Sequence, residues 1–106
     1  MAINLRAVYG SLVDGAGADY YTCPTGAQAW VKTIAIVNND VAPHTLSLWA
    51  GSPTVGAQIS AVDLPLAAGA AYFDTNGYAL LPGDSLSGSC DANSVVSFAV
   101  SILEKT

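Results

Sequence analysis

The chain has 106 residues, 52% hydrophobic and only 10% charged, with 3 basic and 8 acidic side chains and a net charge of -5. Typical soluble domains are roughly one-quarter charged. The three bases, Arg6, Lys32 and Lys105, are far apart in sequence, which disfavours nucleic acid and anionic membrane surfaces as partners, because both demand several cations on one surface. No apolar run approaches the ~20 residues of a membrane span, and the length suits a single domain, residues 1–106, with its own core.

Turn residues recur every ~8–12 positions, the spacing of an all-β sandwich or barrel. The breaks are "DGAGAD", "CPTGAQ", "NNDVAPH", "GSPTVG", "AAGAA", "DTNG", "LPGD" and "DANS". They mix Gly, Pro, Asn and Asp, which supply positive φ, fixed φ or local capping. In chain order the strands run Ile3–Val13, with Ile3, Leu5, Ala7 and Tyr9 on one face, then Asp19–Cys23, Ala29–Asn38 and His44–Gly51. Gln58–Leu66 follows, then Ala70–Thr75 continuing through Tyr78–Leu81, Asp84–Cys90 and Ser94–Glu104. No window keeps helical spacing of apolar residues without a Gly or Pro break. The expectation is an antiparallel β-sandwich of about eight strands, jelly-roll-like or immunoglobulin-like, since periodicity does not reveal pairing. Its core should hold Ile34, Ile36, Leu46, Leu48, Val96, Phe98, Val100 and Ile102.

Reactive groups are sparse. No G-x-S-x-G, phosphate-binding Gly loop or metal-spaced Cys/His motif occurs. His44, the one histidine, falls in "APHTL" and reads as an exposed turn residue. "DTNG" starts like a calcium loop but lacks the later carboxylates, so it reads as a tight turn. These readings imply no enzyme, no cofactor and no metal. With no secretory signal visible in "MAINLRAVYG", Cys23 and Cys90 are expected to be reduced and buried, with Cys90 facing inward beside Leu86. Tyr20 and Tyr21 are adjacent and should face opposite ways on a strand. Trp49 falls opposite Leu46 and Leu48, so it points outward or lies under a loop.

The strand "WVKTIAIVNND" carries one further signal. Ile34 and Ile36 share a face, yet the opposite face, Thr33, Ala35 and Val37, bears no charge. Large contiguous apolar patches are rare on monomers and often mark interfaces; the alternative is a central strand whose second face is tolerably apolar because Thr and Ala are small. A homo-oligomer is expected, with Thr33, Ala35 and Val37, or Trp49, at the contact.

"ADYYTCPTGAQAWVKTIAIVNND" followed by "TLSLW", and "LPLAAGAAYFDTNGYALLPGDSLSG" with a last strand ending near Glu104, resemble small structural proteins of tailed bacteriophages. The resemblance runs from about Tyr20 to Glu104 and contains no catalytic signature. It implies a virion β-sandwich, made in the host cytoplasm and frequently trimeric. Such a protein would be a capsid cement or decoration protein whose partner is the major capsid protein. The alternative is a tail- or head-fibre module that binds a host receptor or glycan through exposed aromatics.

Overall fold

A computed structural model describes residues 2–14, 17–50, 57–60, 64–92 and 94–106. Ten strand segments follow in order: β1 (Ile3–Ser11), β2 (Ala18–Thr22), β3 (Gln28–Asn38), β4 (His44–Ala50), β5 (Ala57–Gln58), β6 (Leu64–Leu66), β7 (Ala71–Asp74), β8 (Tyr78–Leu80), β9 (Ser85–Cys90) and β10 (Val96–Lys105). No helix occurs among the described residues. The "GSPTVG" turn, the centre of "DGAGAD", Asn93 of "DANS" and positions 61–63 of the expected Gln58–Leu66 strand lie outside them.

The strands form two antiparallel sheets. The first runs β1-β10-β3, with β7 and β8 both on the far side of β3; the second runs β2-β9-β4, with β5 and β6 both on the far side of β4. β7 pairs with residues 34–37 of β3 and β8 with residues 29–31, so together they make one strand interrupted by a turn. β5 and β6 share β4 in the same way. Eight strand positions result. The first pairs with the last, the second with the seventh, the third with the sixth and the fourth with the fifth. That is one long hairpin rolled up, the jelly-roll order, and not the immunoglobulin order, in which the first two strands are neighbours. The roll passes between sheets at 12–13: the Leu12 N–H donates to the Val96 carbonyl of the first sheet, and the Val13 carbonyl accepts from Cys90 of the second.

All eight expected core residues are buried, together with Leu12, Val31, Leu66, Leu80, Leu86 and both cysteines. The cysteines are free thiols, and Cys90 belongs to the same buried cluster as Leu86.

Two bulges alter what strict alternation implies. In β2 the register shifts between Asp19 and Tyr21. As a result Tyr20 and Tyr21 both turn to the core instead of facing opposite ways. The Tyr20 ring packs 4.5 Å from Phe98, and its hydroxyl accepts the Val13 N–H at 2.9 Å. The Tyr21 hydroxyl donates to buried Glu104, which also holds Arg6 at 3.2 Å. The second bulge lies in β3: Val31 pairs with Ile102 and Thr33 with Ser101, leaving Lys32 over. Strict alternation would put Trp30 on the face of Ile34 and Ile36. The extra residue sends it to the other face, where it is 59% exposed.

Asn38 is fully buried and ties the sheets together. Its amide donates to the carbonyls of Ala42 and Leu66, at 2.9 and 3.1 Å, and its oxygen accepts the Asp40 N–H. The "DTNG" turn is closed by Asp74, which is buried and accepts from the Asn76 N–H and the Tyr78 hydroxyl. Only Gly77 there takes positive φ, at 81°, and a Cβ on it would sit 2.7 Å from Trp30 Nε1.

Phe98→Ala should lower stability by about 3–5 kcal/mol, the cost of truncating a buried aromatic ring, read from urea denaturation. Protein prepared without reductant should yield two titratable thiols after denaturation and none while folded. Burial, then the hydrogen bond to Glu104, raises the Tyr21 pKa above its ordinary 10.0. Burial raises those of Tyr20, Tyr72 and Tyr78 as well. A raised folded-state pKa contributes stability that is complete below the unfolded value and is lost as pH climbs toward the folded one. Stability should therefore decline from about pH 10 upward. Tyr21→Phe should blunt that decline while costing roughly 1–3 kcal/mol at neutral pH, because Glu104 loses a donor.

Candidate interaction face

The outer side of the first sheet is built by register. One row across β1, β10, β3 and β8 is Leu5, Leu103, Trp30 and Ala79. The next is Ala7, Ser101 and Thr33. Then come Tyr9, Ala99, Ala35 and Phe73, followed by Ser11, Ser97, Val37 and Ala71. Each alternates with a row that faces the core. Thr33, Ala35 and Val37 thus lie together at the middle of one face, as the sequence implies, and no described segment covers them.

The four expected contact residues do not all meet. Trp49 is half-buried on β4 in the second sheet, paired with Gln58 and Ser87, so it stands apart from Thr33, Ala35 and Val37. The first sheet's larger side chains were not expected at an interface. Tyr9 is 76% exposed, Phe73 69% and Leu5 71%, and Ile3 and Leu81 are also mostly exposed. The face of Ile3, Leu5, Ala7 and Tyr9, visible in the sequence, is the outward one. Trp30 required knowledge of the Lys32 bulge.

The face has walls and a floor. Large side chains stand on the outer strands β1 and β7 and at Trp30, while Ser97, Ala99, Ser101, Thr33, Ala35 and Val37 pave the two central strands. Three strand spacings separate the walls, about 14 Å. The charges at the face are Lys32 in the bulge and Lys105 in the end row, paired with Ile3 and Gln28. If each exposed ring offers about 200 Å², Tyr9, Trp30 and Phe73 expose on the order of 400 Å². The largest apolar patch of an ordinary monomer is about 300–600 Å² in all. At one corner the face dips into a depression of about 340 Å³ lined by Ile3, Gln28, Trp30, Leu81, Leu103 and Lys105.

β1 adds an open edge. It pairs only with β10 among the described residues, runs nine residues, and carries one charge, Arg6. Long edge strands without Pro or Lys are templates for pairing with another chain.

His44 departs from its expected role. It is the first residue of β4, and its side chain is only 12% exposed. Its Nε2 lies 2.8 Å from Asp40 Oδ2 and its Nδ1 2.7 Å from Asp91 Oδ1. The hydrogen bond to Asp40 raises the imidazole pKa against the opposing effect of burial, and Asp91 adds to the rise. The same hydrogen bond lowers that of Asp40. For Asp91, burial acts upward, but the bonds from His44 and Cys90 leave its pKa below the ordinary carboxylate value. Among the described residues lining the corner depression, the titratable side chains are Lys105 and Glu104, whose carboxylate Tyr21 and Arg6 already occupy.

No protein-family model matches the chain, and no curated protein matches it.

Replacing Tyr9, Trp30 and Phe73 together by Ser should leave stability nearly unchanged, since exposed side chains away from packed features are typically worth within about ±0.5 kcal/mol each. Binding of an apolar-surface dye to the native protein should fall in parallel. A large loss of stability would mean that the three rings belong to the core.

Proposed function

We propose that the protein is a structural component of an assembly, and specifically a capsid cement or decoration protein of a tailed bacteriophage. The observation that carries this reading is the outer face of the first sheet: broad, nearly uncharged, walled by aromatics and uncovered by any described segment of the chain. Such a face suits contact with another protein surface, because Ala, Ser and Thr allow close approach with little polar desolvation. The open β1 edge supports the same reading. The resemblance of the sequence to phage virion proteins supplies the particular assembly, and with it the coat protein as partner and a trimer as the favoured oligomer.

The mechanism is additive. A decoration protein bridges neighbouring coat subunits, and many weak contacts repeated by symmetry sum through effective concentration. Because it binds the assembled shell and not free subunits, it stabilises the shell by mass action. In this role no bond is made or broken.

The second reading, a fibre module for a receptor or glycan, draws on the corner depression. There Trp30 could stack on a sugar ring and Gln28 and Lys105 bond its hydroxyls. The two readings separate at single residues. Ala35→Asp places a carboxylate on the floor of the face, where an unpaired buried charge costs far more than the contact returns. It should abolish co-sedimentation with capsids from the same source, and it should dissociate any oligomer seen by light scattering, while the fold is retained. Trp30→Ala alone should abolish glycan binding under the second reading and only weaken capsid binding under the first. Unchanged capsid binding and oligomeric state in a folded Ala35→Asp variant would remove this face from the assembly.

A further inference from the structure

A second constellation stands at the end of the sandwich where β3 turns into β4. In the β4–β9 pairing Leu46 lies opposite Cys90. His44, two residues earlier and on the same side of β4, is therefore a diagonal neighbour of Cys90. Asp91 follows directly, held by its N–H to the Thr45 carbonyl at 3.2 Å. One donor atom each from His44, Cys90 and Asp91 lies within 4.8 Å of the others. Nδ1 of His44 is 2.7 Å from Asp91 Oδ1, and Sγ of Cys90 is 3.6 Å from that same oxygen.

Asp40 makes this more than an ion pair. Its carboxylate holds the opposite ring nitrogen, Nε2, at 2.8 Å. Metal-binding imidazoles are oriented in this way: an outer carboxylate fixes one nitrogen as a donor and so aims the other at the metal. From the mixed donor set, its attachment to a regular strand pairing and the outer carboxylate, we infer that His44 Nδ1, Cys90 Sγ and the Asp91 carboxylate form a transition-metal site of the Zn²⁺ class, with Asp40 as its positioning residue.

The donor types select the ion. Calcium and magnesium take oxygen shells, whereas one imidazole, one thiolate and one carboxylate suit Zn²⁺ or Co²⁺. Three protein donors leave a fourth position for water or for a side chain of a partner. Donors around one tetrahedral ion stand somewhat more than 3 Å apart, so Asp91 must back away from His44 by a few tenths of an ångström. Its side chain is 44% exposed and stands in a turn, and it forms the entry from solvent. Binding releases the Cys90 thiol proton and, where the imidazole is charged, its Nδ1 proton to water. The site is independent of the outer face of the first sheet.

The test uses the reduced, metal-stripped full chain titrated with Co²⁺ alone. The expected result is saturable one-to-one binding with a near-ultraviolet thiolate-to-cobalt band, reversed by Zn²⁺. Cys90→Ser should remove the band and Cys23→Ser should keep it. Asp40→Asn should weaken binding ~10–100-fold without abolishing the band. In the wild type, Zn²⁺ should also protect Cys90, but not Cys23, from alkylation during partial unfolding in urea, a readout that needs no variant to fold. Absence of a saturable band in the wild type, a band that survives Cys90→Ser, or equal alkylation of both thiols would overturn the site.

Discussion

The pairing of β3 with β10 holds two surfaces at once, and the rest of the molecule is arranged around them. Along its length Val96, Phe98, Val100 and Ile102 meet Asn38, Ile36, Ile34 and Val31 on the inner side, where all are buried. Burial of that side anchors the register, since a one-residue slip would send every one of these side chains to solvent. The same register then dictates the outer side, where Ser97, Ala99, Ser101 and Leu103 meet Val37, Ala35, Thr33 and Trp30. The apolar outer face is thus locked in place by the core behind it.

Alternation in β10 and the second half of β3 is plain in the sequence, and so were the core, the strand order along the chain and the bare face of Thr33, Ala35 and Val37. Three features were not legible, each for a definite reason. A bulge adds one residue without any compositional mark, so Trp30, Tyr20 and Tyr21 could not be placed by period alone. Choice between jelly-roll and immunoglobulin orders depends on which strands pair, and pairing is a long-range property. The His44 cluster joins Asp40, His44, Cys90 and Asp91 across 51 positions of chain (40 to 91). No motif spacing signals it, because β4 and β9 are brought together only by the roll. A histidine between Pro43 and Thr45 reads as exposed, whereas two carboxylates hold it.

The two bulges have opposite effects on polarity. The one in β2 brings a second tyrosine inward and so supplies a donor for Glu104, whose buried carboxylate would otherwise lack one of its two partners. The one in β3 sends a tryptophan outward, next to Gly77, where a Cβ would sit 2.7 Å from the indole nitrogen. In the assembly proposed above, exposed Trp30, Phe73 and Tyr9 would bury much area at little rotamer cost. The low charge of the chain suits the same proposal, since charges are depleted at the centres of interfaces.

Side-chain footprinting of the protein alone and in the proposed particle, bound to capsids from the same source, tests this account most directly. Hydroxyl radicals label Tyr, Trp and Phe in proportion to their exposure. In the free protein Tyr9, Trp30 and Phe73 should label strongly, and Trp49 weakly. In the particle the first three should be protected together, with Trp49 unchanged. Protection confined to Trp49, with Tyr9, Trp30 and Phe73 labelled as strongly in the particle as in the free protein, would contradict it.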